Sequence, residues 1–304
     1  MKRYTIGLYE KAMPPELTWK EKLEAARDAG YDYLELSIDA TDEKINRIYM
    51  PKEERLELVG CMYDTGLPIR SMCVSALTKY SIGNEDPNLC RKGMEILEKA
   101  IGLADDLGVR NIMIPGYDVY YGVSTSQTKK RFLKNLQKAT NIAAAYGVMI
   151  ELETMENDFM NTVWKAMYYV QQIDSAYLGV YPDSGNIKNA AVTLGVDEAE
   201  DLQTGKGHVT SLHLKETIPG KFREIPYGTG HVDFDKIIRA AWDIGIRKYV
   251  TEFWYQGSKD WRRDLMDTNL RMRKILNEMS SLDKAAEQSD GAGRKGCFLK
   301  PDGV

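Results

Sequence analysis

Residues 128–153 read TKKRFLKNLQKATNIAAAYGVMIELE, and they hold one complete unit of the fold. From Thr128 to Ala145 apolar residues recur at three- and four-residue spacings, the period of a helix that buries one face. Gly147 follows, a residue type that caps helix carbonyls by taking the left-handed conformation. Val148 to Glu153 is then a short apolar run that ends on a carboxylate, which suits a buried strand.

The same helix, glycine, strand phrase recurs at Ala29-Gly30-Tyr31, Thr65-Gly66-Leu67, Leu107-Gly108-Val109 and Ile244-Gly245-Ile246. Strands are predicted at Tyr4–Leu8, Tyr33–Ser37, Ile69–Val74, Asn111–Pro115, Val148–Glu153, Leu178–Tyr181, Val209–Leu214 and Tyr249–Glu252. Helical patterns lie between them, among them Trp19–Ala29, Leu89–Leu107 and Phe234–Ile244. This alternation predicts an α/β fold, a (β/α)₈ TIM barrel with a parallel sheet inside and helices outside. An open doubly wound sheet shares the punctuation, but repeated units without a Gly-rich dinucleotide turn favour the closed barrel. The barrel is expected over residues 1–279, with 280–304, poor in apolar residues, as a mobile C-terminal tail.

The chain has 304 residues, which one barrel can accommodate. Its 41 basic and 45 acidic residues give a net charge of −4, the wrong sign for a phosphate-backbone binder, so no nucleic-acid partner is expected. Cys61, Cys73, Cys90 and Cys297 form no Cys-x-x-Cys pair and read as buried thiols of a reducing compartment. No run approaches a membrane span or a signal peptide, so the expectation is a cytoplasmic protein without a membrane partner.

In such a barrel the active site lies at the carboxyl ends of the strands. Four consecutive strands lead to a polar residue there: Glu153, Asp183, His213 and Glu252. Three carboxylates and an imidazole converging from adjacent strands suit one divalent metal ion, Zn²⁺, Mn²⁺ or Co²⁺. Glu151, two residues before Glu153, faces the same side but deeper, where it is expected to pair with a basic group.

The segments Gly7-Leu8-Tyr9-Glu10-Lys11-Ala12, Gly116-Tyr117-Asp118-Val119-Tyr120-Tyr121, Tyr181-Pro182-Asp183-Ser184-Gly185-Asn186, His213-Leu214-Lys215-Glu216-Thr217, Gly228-Thr229-Gly230-His231-Val232-Asp233-Phe234 and Glu252-Phe253-Trp254 together resemble the L-ribulose-5-phosphate 3-epimerase family of xylose-isomerase-like barrels, in order from about residue 3 to 275. The resemblance implies interconversion of L-xylulose 5-phosphate and L-ribulose 5-phosphate, as in bacterial L-ascorbate breakdown. It places the ligands of one Zn²⁺ or Mn²⁺ on Glu153, Asp183, His213 and Glu252. One departure stands in Ser75-Ala76-Leu77-Thr78-Lys79, where Leu77 occupies the place of the family's histidine.

Epimerisation at C3 of a 2-ketose needs a proton removed on one face and returned on the other. Glu153 and Glu252, from the first and last of the four strands, are the candidate pair. A substrate phosphate is expected at the Gly-rich loop Gly228, Gly230 and His231, with Lys215, Lys221 or Arg223 nearby; for His231 a plain turn position is the alternative. Tyr117 is a candidate pocket wall. His208, before the seventh strand, reads as local packing. The alternatives are a metal-dependent hexulose-phosphate isomerase, an epimerase of free ketoses, a repair-type phosphodiesterase, disfavoured by three histidines and negative charge, and a sugar-binding barrel without catalysis. Barrels of this kind are often dimers, so a homodimer or larger homo-oligomer acting on a small sugar phosphate is expected.

Overall fold

A computed structural model describes residues 2–293, with side chains through Lys284. Its strands are β1 (Thr5–Tyr9), β2 (Tyr33–Ser37), β3 (Ile69–Cys73), β4 (Asn111–Pro115), β5 (Met149–Glu153), β6 (Leu178–Tyr181), β7 (Leu212–Leu214) and β8 (Lys248–Thr251). Neighbours pair in parallel in the order β6-β5-β4-β3-β2-β1-β8-β7. Two parallel bridges, Val180 to Val209 and Asp183 to His213, join β6 to β7 and close the barrel. The seventh strand is shorter than Val209–Leu214, because only isolated bridges hold its start.

Each strand is buried on both faces, and the alternation of side chains sorts them into two compartments. On β5, Ile150 and Leu152 pack outward into the main apolar core, while Glu151 and Glu153 point into the barrel. At mid-height the interior is filled by Tyr9, Tyr33, Cys73, Met113, Tyr181 and Val250. This belt separates a polar floor, containing Glu151 and Lys248, from the mouth where β5 to β8 end.

The five glycines of the repeated phrase, at 30, 66, 108, 147 and 245, all have positive φ, between 68° and 96°. Left-handed backbone is what lets the chain leave each helix and turn straight into a strand.

Two expectations need correcting. Helix does not end at Ser280: the helix Trp261–Gly293 runs through that point. Asp283 accepts a hydrogen bond from Trp242 Nε1 at 3.0 Å and lies 3.4 Å from Arg247, which ties this turn to the helix Phe234–Asp243. Low apolar content misled there, since the segment is rich in good helix formers. Residues 294–304, the rest of the expected mobile tail, lie outside the described residues, as does Cys297. Cys73 and Cys90 are buried free thiols, but Cys61 is only half-buried.

Candidate metal centre and active site

The mouth is built by β5 to β8. Glu153 is the last residue of β5, His213 the middle of β7, and Glu252 follows β8 directly. Asp183 follows β6 and caps the helix Ser184–Leu194, its Oδ1 accepting from the Asn186 amide at 2.7 Å. One ligand atom from each of the four lies within 4.8 Å of all the others, and all four residues are buried.

The unused atoms are the telling ones. Asp183 Oδ2, His213 Nδ1 and Glu252 Oε2 are buried without a hydrogen-bond partner. His213 Nδ1 stands 3.4 Å from both Glu153 Oε1 and Glu252 Oε2, near each but aligned with neither. A buried polar atom left unsatisfied costs about 1–3 kcal/mol. Three of them turned toward one point, drawn from an imidazole and two carboxylates, fit a divalent cation.

The electrostatics agree. Burial raises the Asp183 carboxyl to about 8, with Glu252 and Glu153 adding to the rise against the pull of Lys215. Glu153 is also raised, by burial and then by Glu252. Glu252 is held low in spite of burial, because Lys215 and His213 face it. Burial would push the His213 imidazole down, yet Glu35, Glu252 and Glu153 lift it well above its ordinary value. Carboxylates crowded this closely resist full ionisation until more positive charge arrives.

Lys215, one of the cations expected near a substrate phosphate, lies among the strand-end carboxylates. Its side chain is buried in the cluster, with Nζ 3.0 Å from Asn186 Oδ1, 3.1 Å from Asp183 Oδ1 and 3.5 Å from Glu252 Oε2. Its spacing of two from His213 was the available signal, since that places both on one face of the strand.

Amides of the Gly-rich loop already have acceptors within the protein. Glu216, almost fully buried, accepts from the amides of Gly228 at 2.9 Å, Val232 at 3.1 Å and Thr217 at 3.2 Å. The His231 amide goes to Thr217 O and the Thr229 amide to Pro226 O. A Cβ on Gly230 would lie 2.3 Å from Glu216 Oε1, and one on Gly228 2.5 Å from Arg271 Nη1. These glycines admit close packing around a carboxylate, whose charge opposes an anion there. His231 Nε2 pairs with Thr217 Oγ1 at 3.1 Å. His208 is exposed, and its carbonyl accepts from Val180.

Arg223 keeps a place at the mouth. Its guanidinium lies over Trp254 at 5.4 Å and has no carboxylate partner among the described residues. Burial would lower its pKa, but the nearby carboxylates of Glu252, Glu156 and Glu153 raise it. Tyr117 is buried and donates to Glu156 Oε2 at 2.6 Å, and its ring packs edge-on against Tyr120. Leu77 is buried in the main apolar core within the turn Ser75–Thr78. Sequence reasoning missed Glu35, Glu156, Glu216 and Trp254. Glu35 alone left a trace, as a charged residue inside the apolar run of β2.

The profile of the xylose isomerase-like TIM barrel family matches residues 23–274, so the fold is of that class. An L-ribulose-5-phosphate 3-epimerase UlaE from Escherichia coli O157:H7 is 36% identical over 260 residues, 85% of this chain and 90% of the relative. The chain belongs to the L-ribulose-5-phosphate 3-epimerase family of these barrels and is an isomerase of the carbohydrate-epimerase type. Among solved structures, an L-ribulose 3-epimerase superposes with a TM-score of 0.70 at 19% identity, covering 97% of this chain and all of the other. A xylose isomerase-like barrel from Mycobacterium smegmatis, solved in complex with magnesium, gives 0.67 at 17%, covering 91% and 97%.

Proposed function

We propose that this protein is a metal-dependent 3-epimerase interconverting L-xylulose 5-phosphate and L-ribulose 5-phosphate, with one divalent ion, Zn²⁺ or Mn²⁺, held by Glu153, Asp183, His213 and Glu252. The observation that carries this reading is the set of unpartnered donor atoms on Asp183, His213 and Glu252, turned toward one point beside Glu153. A bound divalent ion supplies Lewis-acid stabilisation of negative charge developing on the ketose oxygens.

Glu153 and Glu252 do the proton work. They come from strands separated by two others and flank His213 Nδ1 at 3.4 Å each. One carboxylate takes the C3 proton, the C–H electron pair moving toward the C2 carbonyl oxygen to give an enediolate. The other delivers a proton to the opposite face of C3, so the configuration inverts. Lys215 offsets the charge of Asp183 and Glu252 and holds them in place. Tyr9 and Trp254, packed edge-on with centroids 6.0 Å apart, shield the reacting carbon from bulk water. Arg223, which lies over Trp254 and has no carboxylate partner among the described residues, is the group that takes the 5-phosphate.

A second reading, 3-epimerisation of a free ketose, is favoured by one observation: Glu216 fills the loop amides that would otherwise receive a phosphate. Reaction of the metal-loaded protein with L-ribulose 5-phosphate in heavy water tests both. The expected product is the C3 epimer carrying deuterium at C3. Label at C1 or C2 would make the enzyme an aldose–ketose isomerase instead. Equal kcat/KM for L-ribulose and its 5-phosphate would move the assignment to free sugars.

A further inference from the structure

Glu35 lies in the middle of β2, across the barrel from the strands that carry the four ligands, and it is fully buried. Its Oε1 is 2.7 Å from His213 Nε2, and its Oε2 accepts the Tyr181 hydroxyl at 3.2 Å. An ionised carboxylate only accepts hydrogen bonds, so the proton of this contact belongs to Nε2. With the Nε2 proton held by Glu35, the proton that His213 gives up on becoming neutral leaves Nδ1, the atom that faces Glu153, Asp183 and Glu252 without a hydrogen-bond partner. The Tyr181 ring packs edge-on against the imidazole at 4.6 Å, so the residue that orients Glu35 also fixes the ring plane.

We propose that Glu35 is a positioning residue for the metal centre: it sets the tautomer and rotation of His213, with Tyr181 as its strut, so that Nδ1 is presented as a ready donor. This rests on the metal reading above. The rival is that Glu35 is only a buried partner that stabilises the fold. In that case its loss would alter melting of the metal-free protein and leave the metal affinity of the folded protein unchanged.

The test measures Mn²⁺ and Zn²⁺ affinity, by competition with a chromophoric chelator, in the wild type, Glu35→Gln and Glu35→Asp. Glutamine keeps the shape and loses the charge; aspartate keeps the charge and falls short of Nε2. Both variants are expected to bind the ions roughly 10–100-fold more weakly, the usual effect of removing a partner that orients a metal-ligating histidine. Nitrogen-15 spectra of the zinc-loaded protein give a second readout, simple because the chain has three histidines. The hydrogen-bonded Nε2–H signal of His213 is expected to shift in both variants. Wild-type affinity together with an unmoved His213 signal in whichever variant folds overturns the role of Glu35 while the metal centre stands. A wild-type protein that takes up neither ion overturns both.

Discussion

The barrel interior holds two buried polar constellations, and they are finished differently. On the floor, Lys248 donates to Asn111 Oδ1, Asn111 Nδ2 donates to Glu151 Oε2, and Thr210 donates to Glu151 Oε1. Every polar side-chain atom in that chain has a partner. At the mouth, past the aromatic belt, the carboxylates and imidazole of the ligand set leave three atoms with none. The same strands supply both: β5 contributes Glu151 below and Glu153 above, and β8 contributes Lys248 below and leads to Glu252 above. A closed hydrogen-bonded chain stabilises itself, whereas an open one is completed by something from outside. The floor also corrects the expected pairing of Glu151, because the cation reaches it through Asn111 rather than directly.

The sharpest way to break this comparison is to make the same substitution above and below. Glu153→Gln and Glu252→Gln each keep an oxygen ligand and lose a base, so kcat is expected to fall by ~10²–10⁴ with metal still bound. Glu151→Gln, one pleat deeper, is expected to keep kcat within a few-fold. Steady-state epimerisation with metal content measured on the same samples decides it. If Glu151→Gln were as inactive as Glu153→Gln, floor and mouth would be one functional unit.

Next come the ligands that carry no proposed proton role. Asp183→Ala and His213→Ala are expected to lose most bound metal on dialysis and yet remain folded, since the outer core of strands and helices is untouched. Elemental analysis showing full occupancy in both would remove them from the site. On the floor the expected effect is on stability. Asn111→Ala leaves Glu151 Oε2 without a donor and Lys248 with only the Arg70 carbonyl at 3.4 Å, at about 1–3 kcal/mol for a buried group left unsatisfied. Denaturant unfolding should show the loss with metal content unchanged.

The strands were legible because each is buried on both faces and five of the eight follow a helix that ends on a left-handed glycine, signals that are local in sequence. The cluster of Glu153, Asp183, His213 and Glu252 was legible for a related reason, each closing or following a short apolar run at the mouth. Glu35 was not, because its meaning depends on His213, 178 residues away and across the barrel. Lys215 and the 228–231 loop have partners that composition could not show. Composition shows a basic residue and glycines; it does not show that Asp183 and Glu252 claim the lysine or that Glu216 takes the amides. The stretch after Met279 failed differently, since helix propensity and one contact at Asp283 carried the helix on where apolar periodicity faded.

The smallest expected effect concerns protons on the floor. Burial pulls the Lys248 ammonium down to about 8, only partly offset by Glu151 and Glu35 and deepened by Arg110 and Arg70. In the unfolded chain a lysine titrates near ~10.4. Below about pH 8 both states hold the proton, and the folded protein bears the full cost of a buried charge. Between about 8 and ~10.4 the unfolded chain binds more protons than the folded one, so the contribution of Lys248 to stability rises with pH. Wild type should therefore gain on Lys248→Met, by an amount on the order of 1 kcal/mol, as the pH is taken from 7.5 to 10. Urea midpoints of the two proteins, measured metal-free so that the mouth does not add its own proton linkage through bound ion, give the difference. A gap that stays flat or narrows with pH would mean that Lys248 keeps its charge and that its link through Asn111 to Glu151 offsets burial fully. The floor would then be an ion pair in effect, and its contrast with the mouth would lie in geometry alone.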